Sequence, residues 1–544
     1  MFSSLKKLTG TALAVVMISS PVFAAEITPE GAAQLKTLIQ TQIDLRKNVQ
    51  SAAGGQYITE GELKVEPTDS YYAVTLPHIK MKDAAGKVFD IGMVAANVIP
   101  GANDKEWKAA IAIPTPIRII GADNKQVGEI SIATQRALGV WDTDLSSFIR
   151  LDAQYTDIAF KSDESPAGFK IGTASFKNQL SRESNGHLSG PAQAILQNWT
   201  LESPDDKLTG SIKSLNIDVA VKDFDPLVAK SFNEQIGAIG QAGQKITDSA
   251  ISAQGGMAMY NMMTNLMGKS SDSFSVAMSM DGLAITGPNE TTQVMETFEL
   301  GKVALGFDMS GFRAGAVKTG LKVGYTDLKL NDPNDAYKDI IPLTANVNLT
   351  VNNLPFQQLV DLGRDTMAAN SGNPQAAQMA GMTAMATVPK LLTDAGTTLE
   401  QSFDFAANTY QGKGSGVLAA NMKAISGFTA EQNAEFTGLD KVIAKIHEEM
   451  AKPGNVEAQA LQSVLGPLTI MQMVGQQKPD APDTRTYHLT VDETGKTMLN
   501  GSDLSTIMGM GGGAPQPGPA TDMSVPPGAE GPSAGEEAPP SATE

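Results

Sequence analysis

Catalysis and metal binding need nucleophiles, general bases or ligand clusters, and this chain is sparing with all of them. Its imidazoles are His78, His187, His447 and His488. No two stand three or four residues apart, so no helix can present a pair of them to one ion, and no metal is expected. His447, beside Glu448 and Glu449 near an expected helix end, suits a cation at the negative end of the helix dipole. His488 suits the surface of a late strand. Cysteine is absent, which removes thiolate catalysis, thiolate metal sites, iron–sulfur clusters and disulfides. Gly268-Lys269-Ser270 has the ending of a phosphate loop, but Met263 stands where the loop needs its first glycine and no apolar strand leads into it. No G-x-S-x-G elbow occurs. Carboxylates gather at Asp142-Thr143-Asp144, Asp205-Asp206, Asp223-Phe224-Asp225 and Asp332 to Asp335. None has the alternating oxygens, central glycine and distal glutamate of a calcium loop, and turn formation accounts for them. A carboxylate pair that meets only in space leaves no spacing signature, so an envelope-directed hydrolase stays open as an alternative. No cofactor is expected.

Methionine is the abundant soft residue, at 25. Met257, Met259, Met262, Met263 and Met267 crowd one stretch, and Met367, Met379, Met382 and Met385 another. Thioethers fill irregular gaps where helices lie on a sheet. They also make surfaces that re-pack around varied apolar ligands. Copper(I) is the third reading, weakened by the lack of accompanying histidines. Met257, Met259, Met262, Met263 and Met267 are the candidate ligand-binding residues.

The elements that must position them begin after an export leader. Lys6 and Lys7, the apolar run Thr11 to Ile18, Pro21 and the small-residue exit Val22-Phe23-Ala24-Ala25 make a cleavable signal over 1–24. Without a cysteine after it there is no lipoprotein anchor. No later stretch approaches 18 apolar residues, so no transmembrane segment is expected once the leader is gone. The expected location is the periplasm. A formal net charge of −18 opposes nucleic-acid binding, which needs a basic footprint.

Thr28-Pro29-Glu30 opens a helix whose apolar residues, Leu35, Leu38, Ile39 and Ile43, recur at helical spacing over 25–55. From Tyr57 the period drops to two. Alternating segments at 57–66, 71–80, 87–99, 107–120, 127–135, 147–160, 168–180 and 207–222 are split by Pro, Gly and Asp turns. Strands return at 273–286, 298–330, 343–351 and near 400–426, and a hairpin closes through Asp492 to Lys496. Helical stretches are expected at 226–267, 354–395, 438–451 and 456–474. The fold class is α+β: long, curved antiparallel meanders, with helices packed on one face or at sheet ends. The blocks are 56–270, closed by the Met-rich helix, then 271–395 and 396–505. The tail 511–544 holds no Leu, Ile, Phe, Tyr or Trp and is expected to be disordered.

Two internal likenesses stand out. Leu151 to Phe160 parallels Leu321 to Leu330, both containing Tyr-Thr-Asp, and Asn216 to Val221 parallels Asn346 to Val351. Later, Tyr487-His488-Leu489-Thr490-Val491 with its Gly495 turn and Asn500-Gly501, together with Ser279 to Gly287 and Asn353-Leu354-Pro355-Phe356, resembles exported alphaproteobacterial proteins of unknown function and, more loosely, the YdgA-like proteins. The likeness covers the C-terminal half. It implies a periplasmic, β-rich, non-enzymatic protein and supplies no catalytic residues. The resulting expectation is a non-catalytic protein that binds a lipid-like apolar ligand or an envelope partner. Its alternatives are the hydrolase and a structural adaptor.

Overall fold

The computed structural model describes residues 26–241, 260–261, 264, 268–289, 293–331, 339–370, 374–452 and 458–507. It is an α+β protein, mostly antiparallel sheet, and the sheet is curved. Helix α1 (Pro29–Ala52) starts as its sequence dictates. The Thr28 hydroxyl accepts the Gly31 N–H at 3.0 Å, Pro29 fills the first turn and Glu30 faces the positive dipole end. The Tyr72 hydroxyl accepts the Thr28 N–H at 3.1 Å. Gly31 lies so close to that ring that a Cβ there would collide with it.

Twelve strands follow: β1 (Gln56–Glu60), β2 (Lys64–Pro67), β3 (Tyr72–Lys82), β4 (Val88–Pro100), β5 (Glu106–Ala112), β6 (Ile117–Ile120), β7 (Gln126–Asp142), β8 (Ser147–Ser162), β9 (Gly168–Gln179), β10 (Ser181–Arg182), β11 (Leu188–Ser203) and β12 (Leu208–Phe224). After α2 (Pro226–Gln241) come β13 (Ser273–Pro288), β14 (Met295–Ser310), β15 (Val317–Thr326), β16 (Lys329–Asn331) and β17 (Thr344–Leu354). Helices α3 (Phe356–Asn370) and α4 (Pro374–Asp394) precede β18 (Thr398–Ala406), β19 (Gln411–Ala420) and β20 (Phe428–Thr437). The chain closes with α5 (Leu439–Met450), α6 (Ala458–Val474), β21 (Gln476–Lys478), β22 (Ala481–Val491), β23 (Thr497–Leu499), β24 (Ser502–Asp503) and α7 (Leu504–Ile507).

All of these strands belong to one sheet, each long strand pairing antiparallel with the next. β1 and β2 lie end to end beside β3, and β5 and β6 lie end to end between β4 and β7. The ladder passes without a gap from β12 to β13 and from β17 to β18. So wide a sheet accumulates twist and curls. Pro77 lies inside β3. The β3–β4 register shifts between Thr75 and His78, so its missing N–H falls where the ladder is already irregular. The stretch 107–120 divides into β5 and β6.

A line of irregularities crosses the sheet. Pairing skips one residue on both partners between Ile132/Ile158 and Thr134/Thr156. It does the same between Ile171/Trp199 and Thr173/Gln197 and between Leu283/Leu300 and Asp281/Lys302. Every second long strand places a left-handed residue there or just past its end: Asp157 (φ 50°), Asn198 (φ 55°), Gly282 (φ 64°) and, directly after β15, Asp327 (φ 55°). The apolar alternation skips at the same places, from Tyr155 to Ile158, Leu196 to Trp199 and Met280 to Leu283. A one-residue slip alone would send all later apolar side chains to the other face; the inserted ladder residue compensates it. The two Tyr-Thr-Asp segments both mark this seam at their aspartates. The second likeness marks strand ends where Asp223 (φ 54°) and Asn353 (φ 55°) turn the chain toward α2 and α3. The two pairs of segments are not equally spaced along the chain, so shared local geometry accounts for both.

Candidate ligand-binding face

Directly opposed residues of neighbouring strands project to the same side of a sheet. Following the register therefore traces one face. Tyr72 opposes Val98, Val98 opposes Ala109 and Ala109 opposes Gly139. Gly139 opposes Leu151, and two positions on, Ala137 opposes Ala153. The row continues through Ala153–Phe176, Phe176–Ala194 and Ala194–Ile217. Met278, Leu305, Val323, Val347 and Phe403 extend it strand by strand. Gly414, Ala434 and Tyr487 complete it. The other face is mostly polar. Asn346 donates to Asp404 at 2.8 Å, Asn348 to Ser402 at 3.2 Å and Gln193 to Asp218 at 2.7 Å.

Among the described residues, the ends of this apolar row are covered and its middle is not. Tyr72 is 1% exposed and Val98 5%, under Ala32 and Leu35 of α1. At the far end Phe405 and Phe436 pack against α5 and α6 through Leu439, Ile446, Leu461 and Leu465. Between them Met278 is 37% exposed, Leu305 40%, Val323 46% and Val347 44%. The neighbouring positions Val276, Phe307 and Leu321 are exposed as well. From β9 to β18 the register makes seven inter-strand steps, about 34 Å at ~4.8 Å each.

Beneath α1 the covered end keeps a slot of about 230 Å³. Leu38, Ile39 and Ile43 form its roof, and Leu76, Ile111 and Trp107 line the sheet side. Trp141 and Phe148 meet edge to face at 5.1 Å along one wall. No Asp or Glu lines it. Helix α2 packs on the far end of α1, where Phe232 and Ile236 meet Val49 and Ala52.

Acids and bases concentrate on the rim where β7, β10 and β12 end. Asp142 is fully buried. It accepts the N–H groups of Asp144 and Leu145, both at 3.0 Å, and is ion-paired with Arg182. Asp223 contacts His187 at 2.6 Å, Asn185 at 2.9 Å and the Arg313 guanidinium. Burial pushes the Asp223 carboxyl up. The hydrogen bonds from His187 and Asn185 and the charges of Arg313 and His187 outweigh it and hold the carboxyl below its ordinary range. Every group here is paired within the protein, so the cluster is a set of structural clasps. Asp225 accepts the Leu227 N–H at 2.9 Å and starts α2. The acidic triplets thus act as turn and cap formers, as their composition implied.

His78 pairs with Asp90, and His488 is exposed beside Asn433. His447 sits in the last turn of α5. Among the described residues no group of three or more His, Asp or Glu could hold a metal ion. No described helix is long and apolar enough to cross a membrane. Met257, Met259, Met262, Met263 and Met267 lie outside the described residues, as do the leader and the tail. Met379, Met382 and Met385 point outward from α4. The row itself was invisible to residue counting, because it is assembled from register; its signal was the alternation in each strand. No family model, no curated protein and no solved structure matches this chain.

Proposed function

We propose that the protein is a non-catalytic carrier of lipid-like ligands in the bacterial periplasm, holding apolar chains along the bare middle of its sheet. The observation that carries this is the uncovered stretch of one unbroken apolar row. Scattered apolar side chains on a surface need no explanation, whereas contiguous ones mark an interface. An extended lipid tail takes about 15 Å, half of a ~30 Å bilayer core, so the bare stretch accommodates tails lying across the strands. A protein partner would bury the same face but would not need a track of uniform chemistry. The leader, the absence of cysteine and the resemblance of the C-terminal half to exported proteobacterial proteins support the location. The hydrolase alternative lacks its acids in the slot, where no carboxylate faces the interior.

Native mass spectrometry of the protein purified from the periplasm of an expressing bacterium tests the reading. Lipid adducts that survive gentle desolvation are expected, and Leu305→Lys with Val323→Lys should remove them while leaving the circular dichroism unchanged. A single ligand-free mass for the wild-type protein would overturn it.

A further inference from the structure

The slot beneath α1 has what the bare row lacks, a cation in its lining. Arg46, on α1, and Tyr57, of β1, both line the slot. Its charge is near enough to oppose the upward push that burial gives the Tyr57 hydroxyl. Among the described residues, neither the Arg46 guanidinium nor the Tyr57 hydroxyl has a hydrogen-bond or ion-pair partner. Six other arginines, Arg136, Arg150, Arg182, Arg313, Arg364 and Arg485, are each paired with a carboxylate. Arg118, like Arg46, is without a pair among the described residues, but it does not line this slot. In a chain of formal net charge −18, acids are plentiful, and none has been placed against Arg46. Solvation accounts for one exposed arginine. It does not account for an unpaired arginine and an unpaired phenol together in the lining of an apolar slot.

We propose that this slot binds a single-chain anionic amphiphile, its carboxylate or phosphate held by Arg46 and Tyr57 and its tail lodged among Ile39, Ile43, Leu76 and Trp107. The guanidinium offers a planar fork of donors that matches either anion, and the phenol adds one more. At ~30 Å³ for each water-sized group, the slot takes roughly eight methylene-sized units. A tail of that length fits inside, and a longer one must leave over the neighbouring strands. The head-group site deepens the carrier reading and borrows from it only the apolar tail; its own evidence is Arg46, Tyr57 and the slot.

Calorimetric titration of the full chain with decanoate, decyl phosphate and decanol tests it. At least one of the anions should bind tenfold or more tighter than decanol, as a charge-assisted hydrogen bond implies (~1.5–3 kcal/mol). Binding of decanoate alone identifies a fatty acid-like ligand, binding of decyl phosphate alone a phosphomonoester, and binding of both the shared anion. Arg46→Gln, on an exposed position, should reduce the anion's affinity to that of decanol, and Tyr57→Phe should weaken it less. Ile111→Trp should fill the slot and abolish binding of all three, while Leu305→Lys on the bare row should leave anion binding unchanged. The site is refuted when decanol matches both anions, when Arg46→Gln binds like wild type, or when neither anion binds. Should Ile111→Trp misfold, the Arg46→Gln arm still decides. Lipid adducts without decanoate or decyl phosphate binding would sink this site and leave the carrier reading; anion binding without adducts would do the reverse.

Discussion

The first strands and the middle strands of this sheet carry the same apolar alternation and meet different fates. Around β3 to β5 the row lies under α1, and Tyr72, Val74 and Val98 are buried. Around β13 to β17, residues of the same kind in the same register, Met278, Leu305 and Val323, stay exposed. Strand pattern alone does not decide whether a face becomes core or contact surface; what lies on it does. A face that is apolar and bare is a standing cost in water of about 25 cal/mol per Å², which points to an occupant.

Changes to the clasp that anchors the covered end should have the largest effect. Arg182→Ala would strand the buried Asp142 carboxylate and is expected to cost about 3–5 kcal/mol, measured by chemical denaturation. Next comes the comparison itself. Leu35→Ala, beneath which the covered row lies, should cost about 3 kcal/mol through a buried cavity. Leu305→Ala on the bare row, 40% exposed, should cost less than ~1 kcal/mol. Equal losses in the two variants would mean that the middle is covered in solution. Gly282→Ala tests the seam. Its φ is 64° and a Cβ would press on Lys213 at 2.9 Å, so a loss of about 1–2 kcal/mol is expected, against little change for Ala284→Gly beyond its strand propensity.

The smallest effect is acid sensitivity. Asp223 is held below its ordinary range as described, and Glu435 likewise by hydrogen bonds from Lys413 and Lys478 and by their charges. A carboxyl whose folded value is depressed contributes stability above its unfolded value, and that contribution is lost as pH falls through the folded one. Denaturation midpoints should therefore be flat above about pH 5 and fall below about pH 4. Asp223→Asn should make that fall shallower; an unchanged slope would remove the Asp223 clasp from the account.

Much of the fold was legible before the structure. Thr28-Pro29-Glu30 announced α1, the period-two segments announced most of the long strands though not β11 or β20, and Asp492 to Lys496 announced the turn from β22 to β23, because caps, alternation and turn residues act over a few positions. The seam was half legible: the repeated Tyr-Thr-Asp was visible, but that its aspartates lie on one line of left-handed residues follows only from strand pairing. The candidate site was less legible. Methionine counting drew notice to Met257 and its neighbours, whereas the bare part of the row, from Phe176 through Met278 and Leu305 to Phe403, contains residues from eight strands that no local spacing connects. Arg46 and Tyr57 are near in sequence, yet nothing there showed that α1 would lie over the sheet with a slot beneath it that both residues line.

By itself, the sequence determined the alternation, the helix starts, the lack of thiol chemistry and the acidic charge, since these depend on residue type and near neighbours. Only the tertiary structure decided that the alternating strands join into one sheet with a single apolar side, and that the described helices cover its two ends and leave its middle open. Register and coverage depend on contacts between residues far apart in the chain, and the free energy of those contacts exists only once the chain has brought them together.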